Sequence, residues 1–153
     1  MKGRVVRRAR DRLRKWKRVG CSLRPRVILC CTESDFTRAV KDVGGIPLSE
    51  WGAWVTPGCL ATCHNFTSAK MGAGAIIGIN PSEFGPSKPQ FFRMVDTLVH
   101  EAYHAAVGYM RDVGIMDAGE EVLARVHANT AGALIRSFHA EYPGLQKRWE
   151  RKV

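Results

Sequence analysis

Two long stretches of helical periodicity in the C-terminal half of the chain place the strongest constraint on its fold. The first covers residues 89–110 and the second runs from about residue 120 to 139 or 141, where a Pro-Gly pair at 143–144 ends it. Residues 114–119 separate the two. The apolar stripe of the first helix, at 3.6-residue spacing, consists of Phe92, Val95, Val99, Ala102, Ala106 and Tyr109. Such helices must bury their stripes against another layer of structure.

The preceding segment supplies that layer as short strands. Residues 26–31 read as a buried strand, and residues 59–67 and 73–80 read as two more. A short helix between the first two strands is predicted to open at Ser34 or Asp35 and to end before Gly44. Since 153 residues suit one hydrophobic core, this order predicts a single α+β domain with a small mixed sheet.

Charge divides the chain into a basic arm at residues 1–26, a domain at 27–142 and a basic tail at 143–153. The arm holds 12 of the 24 Lys and Arg and only one acidic residue, so the rest of the chain is nearly neutral. Its apolar residues recur at helical spacing, which predicts a basic amphipathic helix. The basic residues expected to contact a partner are Arg7, Arg8, Arg12 and Lys15.

Nucleic acid, an anionic membrane surface or an acidic protein would each attract such an arm. The alternative is a helix that packs Leu13 and Trp16 on the domain while its charges face water. The arm lacks the apolar centre of a signal peptide, and no apolar run is long enough to span a membrane. We therefore expect a cytoplasmic protein; for a phage product, the compartment would be the host cytoplasm or the virion.

Five cysteines, an odd number without a disulfide-framework spacing, agree with a reducing compartment. Three nearby residues, Cys59, Cys63 and His64, could form a metal site of their own. Structural zinc sites, however, usually pair one short cysteine knuckle with a second. Buried thiols in strands are therefore the favoured interpretation.

A candidate site lies within the first long helix, at His100-Glu101-Ala102-Tyr103-His104. Two histidines four residues apart project from one helix face, so both imidazoles can reach one cation. Zinc suits neutral imidazole and lowers the pKa of a coordinated water, whose proton Glu101 could accept. This is the H-E-x-x-H arrangement of zinc metallopeptidases. Zinc is the expected cofactor, although Mn²⁺, Co²⁺ and Fe²⁺ accept the same ligands.

The third ligand is expected at the start of the second long helix, where Glu120 and Glu121 are adjacent. Glu121 is favoured because Ala124 and Ala128 share its face and would let this helix approach the first one closely. Glu120 would then be a charge that interacts with the helix dipole. The remaining candidates for this ligand are Asp117, His127 and His139.

With these residues the chain resembles a minimal gluzincin, the zincin branch in which a glutamate on a following helix completes an H-E-x-x-H site. Several such families begin that segment Glu-x-x-Ala, matched here by residues 121–124. Those families often have an acid next, where this chain has Arg125, so Asp96, Asp112 or a carbonyl would orient the histidine. The chain is also similar to short zincin-like proteins of bacteriophages.

The resemblance implies a zinc-dependent peptidase acting on a protein or peptide, with an edge strand that pairs with extended substrate. Residues 73–80 would be that strand, and Gly78, Ile79 and Asn80 would contact the substrate; the alternative is an interior strand. Candidate donors to the oxyanion are Tyr103, Tyr109, His127 and His139. The competing function is a zinc-stabilised binding or inhibitor module that engages nucleic acid or an acidic partner through the basic arm.

Overall fold

The computed structural model describes residues 24–85 and 87–141, and in this part of the chain it confirms the predicted order of elements. The strands are β1 (Arg26–Cys30), β2 (Ala61–Ser68) and β3 (Gly72–Ile79). The helices are α1 (Glu33–Val43), α2 (Lys88–Asp112) and α3 (Glu120–Glu141). These elements form a small α+β fold with a three-stranded mixed sheet and three helices. No helix in the described part has the length and apolar character needed to cross a membrane.

The sheet has the order β1-β3-β2, which makes β3 its central strand. β1 runs parallel to β3 and β2 runs antiparallel to it. The interpretation of residues 73–80 as an edge strand is therefore wrong, and the alternative of an interior strand is correct. Gly78 pairs with Cys30 on one side and Thr62 on the other, while Ile79 is fully buried. The edge nearest the motif belongs to β2.

Gly78 is required by packing rather than by an approaching substrate. A Cβ at this position would collide with the backbone carbonyl of Trp54. The Trp54 indole also donates from Nε1 to the Cys30 carbonyl at 2.9 Å, which holds the loop before β2 against the sheet. Asn80, next along the chain, accepts from the Ser82 amide at 3.1 Å and caps a short 3-10 turn.

The two faces of the sheet are covered differently. On one face α1 packs through Phe36 and Val40 on Ile76, together with Trp51 from the following loop. On the other face α2 and α3 pack side by side. The apolar residues between these two helices and the sheet include Ala75, Ile77, Ala102, Ala105, Ala131 and Leu134. Because small residues occupy the contact, α2 lies close to the sheet, and its opposite face remains exposed.

The ends of α1 follow ordinary capping chemistry. Its N-cap is Thr32, whose hydroxyl accepts from the Asp35 amide at 3.1 Å, and not Ser34 or Asp35 as predicted. The cap lies two residues before Ser34 and three before Asp35, at Thr32, which has the extended backbone that an N-cap needs. Gly44 ends the helix with a φ of 69°, a conformation in which a Cβ is unfavourable.

The basic arm lies almost wholly outside the described residues, and so do its predicted contact residues Arg7, Arg8, Arg12 and Lys15. Cys21 and the basic tail at 143–153 lie outside them as well. The division of the chain into arm, domain and tail therefore stays a prediction from the charge pattern.

Candidate metal centre

His100 and His104 lie one turn apart on α2, and their side chains converge. Their Nε2 atoms are 3.0 Å apart, their ring centroids are 4.7 Å apart, and both residues are exposed. Two imidazoles bound tetrahedrally to one zinc at about 2.0–2.1 Å would hold their nitrogens about 3.4 Å apart. The observed pair needs to open by only a few tenths of an ångström, so this half of the donor set fits the metal.

Glu101 points from the same turn of α2 toward the sheet and is only 7% exposed. The Cys63 backbone N–H of β2 donates to its carboxylate. Burial raises the pKa of the Glu101 carboxyl above its ordinary value, while the imidazoles of His104, His100 and His64 and the Cys63 amide oppose that rise. A carboxylate held in this way beside two imidazoles has both the position and the raised basicity of a general base.

The residues of the possible second metal site do not come together. Cys59 is exposed, and His64 lies on the α1 side of the sheet with its ring 4.8 Å from that of Phe36. His64 Nε2 lies 3.3 Å from the Trp54 carbonyl oxygen. Cys63 lies on the opposite face of the sheet, where burial, with the Glu101 charge as a smaller cause, raises the pKa of its thiol to about 12.

The interpretation of Cys59 and Cys63 as buried thiols in strands is wrong for Cys59 and partly right for Cys63, which lies in β2, whereas Cys30 and Cys31 are buried. Cys63 is half-buried and Cys59 is exposed. Burial raises the pKa of the Cys30 thiol to about 12, so it stays protonated at neutral pH. Cys59 differs because it precedes β2 and lies at the mouth of a surface groove.

The side chains at the start of α3 are less well arranged to bind a metal than the histidine pair of α2. Glu121 has a side chain that is 80% exposed, and its Oε1 accepts from Arg125 Nε at 3.1 Å. Ala124 and Ala128 are exposed, so the expectation that this face of α3 packs closely on α2 is wrong. Among the described residues, no three His, Cys, Asp or Glu side chains are grouped as a metal would require. Glu121 as third ligand stays a prediction.

α3 contacts α2 through a different face, which includes His127. The His127 Nε2 lies 3.0 Å from the Val99 carbonyl oxygen, and its ring is 5.6 Å from that of Tyr103. The Tyr103 ring is in turn 6.1 Å from that of His104. Glu120 precedes His127 by two helical turns and therefore shares its face of α3. Glu121 is rotated by about 100° from Glu120 around the helix axis and therefore lies off that face.

The other candidate oxyanion donors are placed less favourably. Tyr109 is 6% exposed within an apolar cluster. Asp117, a candidate for the third ligand and not for the oxyanion, lies in an exposed 3-10 turn between α2 and α3. His139 is in the last turn of α3, far along that helix from Glu121. Of the four candidates, Tyr103 and His127 are the two that lie beside the histidine pair.

A groove of about 470 Å³ opens on the β2 side of the motif. Its walls are the residues before and at the start of β2 and one face of the first half of α2. The lining residues are Cys59, Leu60, Ala61, Arg93, Asp96, Thr97, His100 and Glu101. Helical spacing from His100 reaches Arg93, Asp96 and Thr97, so the α2 wall could have been found from the sequence. The β2 wall depends on strand order, which the sequence did not reveal.

Comparison with known proteins gives no match of the chain to a protein-family model, to a curated protein or to a solved structure.

Proposed function

We propose that the chain is a zinc-dependent peptidase whose metal is held by His100, His104 and a glutamate at the start of α3. The observation that carries this proposal is the pair of converging imidazole nitrogens, 3.0 Å apart, beside a buried carboxylate. A carboxylate such as Glu101 is costly to bury unless hydrogen-bond donors or positive charges lie beside it. The resemblance of the motif to that of gluzincins supports the same reaction.

The chemistry divides between the metal and the chain. Zinc, when bound, supplies a Lewis acid that polarises the scissile carbonyl and makes an attacking water acidic. Glu101 accepts the proton of that water as its oxygen bonds to the carbonyl carbon. The same carboxyl then gives the proton to the amide nitrogen as the C–N bond breaks, so that an acid and an amine leave.

Glu121 is our choice for the third ligand, on the strength of the Glu-x-x-Ala resemblance. To bind, its carboxylate must leave Arg125, and an exposed ion pair of this kind contributes only about 0.2–1 kcal/mol. Glu120 is the competitor, because it lies on the α3 face that includes His127. Tyr103 would donate to the developing oxyanion, because the Nε2–H of His127, the other candidate beside the pair, is directed at the Val99 carbonyl oxygen.

The substrate strand is proposed on β2 in place of Gly78, Ile79 and Asn80. β2 pairs only with β3 among the described strands, so its outer edge, apart from the Cys63 amide that donates to Glu101, would offer backbone groups to an extended peptide. The Glu101 carboxylate accepts from the amide of Cys63, a β2 residue, and this contact supports a substrate strand beside the proposed base.

Glu101→Gln tests the proposal, because it removes the base while keeping the shape of the side chain. Peptide hydrolysis by the zinc-loaded protein should fall by about 10²–10⁴-fold. Zinc content should stay the same, since Glu101 is not a ligand. Glu83→Gln, at an exposed carboxylate in the turn before α2, is the matched control and should keep both activity and zinc. Undiminished hydrolysis in Glu101→Gln would refute the proposed mechanism.

A binding or inhibitor module remains the second candidate, because the charge of the chain is concentrated in its N-terminal arm. In that case zinc would stabilise the fold, and the arm would engage nucleic acid or an acidic protein. The same variant separates the two functions. A binding module tolerates Glu101→Gln, whereas a peptidase loses its activity.

A further inference from the structure

The groove beside the motif has a charged side chain at each end. At one end are His100 and Glu101, and at the other is Arg93, two turns closer to the start of α2. Seven residues of helix correspond to about 10.5 Å. An extended peptide advances about 3.3 Å per residue, so roughly three substrate residues would connect the reacting bond to Arg93.

The contacts between β2 and α2 indicate which end of a bound peptide would lie at Arg93. Ala61 packs with Met94 and Leu98 of α2, Cys63 donates to Glu101, and Asn65 lies against Gly108. β2 and the first half of α2 therefore run in the same sense. A peptide added antiparallel to β2 would run in the opposite sense to α2. Its residues C-terminal to the scissile bond would extend toward Arg93.

Arg93 is free to receive an anion. Its side chain is exposed, its NH1 lies 3.4 Å from Gln90 Oε1, and its guanidinium carbon lies 5.9 Å from the centre of the Phe84 ring. Neither contact neutralises its charge, and within the described part of the chain it forms no ion pair with a carboxylate. Its planar guanidinium can donate two hydrogen bonds to a carboxylate.

Asp96 lies in the same groove between Arg93 and His100. Its negative charge disfavours an anionic group in the middle of the groove. An acidic substrate group is therefore repelled from the first positions after the scissile bond and attracted at the Arg93 end. The pattern of charges selects the position of the acid as well as its sign.

We propose that Arg93 selects substrates with a carboxylate about three residues C-terminal to the scissile bond. This carboxylate is either an acidic side chain or the C-terminus of the peptide. The inference rests on the proposed function for the position of the scissile bond, but the affinity of the groove for a carboxylate does not depend on turnover.

The test uses a random-sequence peptide pool in two forms, one with free and one with amidated C-termini. Each form is incubated with the full-length protein loaded with zinc. Mass spectrometry of the products reports which residues follow each cleavage. Asp and Glu at about the third position, or a free C-terminus there, should be favoured about three- to tenfold over Asn, Gln or the amide. This preference should shrink in 0.5 M NaCl, because the guanidinium is exposed.

Arg93→Gln should bring that ratio close to one. Arg111→Gln is the matched control, since it removes the same charge from an exposed position in the last turn of α2 and should keep the ratio. A wild-type protein without the preference, or a preference that survives Arg93→Gln, overturns the proposal. The amidated pool distinguishes a chain terminus from an acidic side chain.

Binding of the same pool to immobilised, zinc-loaded Glu101→Gln protein separates this proposal from the proposed function. If the zinc-loaded wild type cleaves nothing, but Glu101→Gln retains acidic peptides and adding Arg93→Gln abolishes that retention, the carboxylate site is supported and hydrolysis is refuted. Cleavage without any preference supports hydrolysis and refutes the carboxylate site. If peptides are neither retained nor cleaved, both proposals are wrong.

Discussion

The motif turn of α2 and the first turn of α3 would contribute to the same site, but the structure organises them very differently. On α2, two imidazole nitrogens already lie 3.0 Å apart and a carboxylate is buried beside them. At the start of α3, the carboxylate of Glu121 is 80% exposed and pairs with Arg125 of its own helix. One half of the proposed site is fixed in place, whereas the other half must move to bind.

The difference follows from how each half is built. His100 and His104 are aligned by the geometry of one helix, and that helix is held by Ala102 and Ala105, which are fully buried against the sheet and α3. A ligand from α3 depends instead on how two helices are placed after a turn. Free energy of metal binding would have to draw that second half into place, as is common where no complete site exists without the metal.

Removing either imidazole should have the largest effect. His100→Ala or His104→Ala deletes one of two fixed donors, so zinc affinity should fall by at least about 100-fold in a competition titration with a chromophoric chelator. His139→Ala, at the exposed end of α3, is the matched control and should bind zinc like the wild type. Unchanged affinity in both motif variants would show that the histidine pair is not a metal site.

Substitutions at the start of α3 should have a smaller effect and identify the third ligand. We expect Glu121→Gln to lower zinc affinity by about 10–100-fold and Glu120→Gln to leave it unchanged, because the resemblance assigns the ligand to Glu121. The same titration measures both variants. The reverse result would transfer the role to Glu120, whose face of α3 includes His127. If both variants bind zinc as tightly as the wild type, neither glutamate is a ligand.

The smallest predicted effect concerns the stability of the metal-free protein. Because burial raises the pKa of Glu101, the folded chain holds this proton more tightly than the unfolded chain. The resulting contribution to stability is present at low pH and is lost as the pH rises through the raised pKa. Glu101→Gln lacks this charge, so with chelator present it should melt on the order of 3 °C higher than the wild type at pH 8.

At pH 5 that difference in melting temperature should become smaller. Thermal unfolding followed by circular dichroism at the two pH values measures it in both proteins. A Glu101→Gln variant that is less stable than the wild type at pH 8 would mean that the carboxylate stabilises the metal-free fold, contrary to this account.

The sequence was sufficient to predict the three α-helices and three strands of the described part, but not its three short 3-10 helices, because each of the longer elements has strong periodicity or clear end signals. The bounds of α2 and α3 agree with the prediction to within about two residues, because their apolar stripes are long. The motif was also recognisable, because a spacing of four residues on one helix requires no knowledge of tertiary structure.

The order of the strands was the main structural feature that the sequence did not reveal. Ile76, Ile77 and Ile79 suit either an edge or an interior strand, and only the parallel pairing of β1 with β3 makes β3 central. The face of α3 that meets α2 was mistaken for a related reason. Ala124 and Ala128 could pack closely on a neighbour, but Val126, His127 and Ala131 make the contacts instead.

The zinc content of the purified full-length protein, measured by elemental mass spectrometry, tests the central claim most directly. We predict about one zinc per chain, retained through gel filtration and lost in His104→Ala. A wild-type protein that carries no metal and cannot be loaded with zinc, manganese, cobalt or iron would contradict the account.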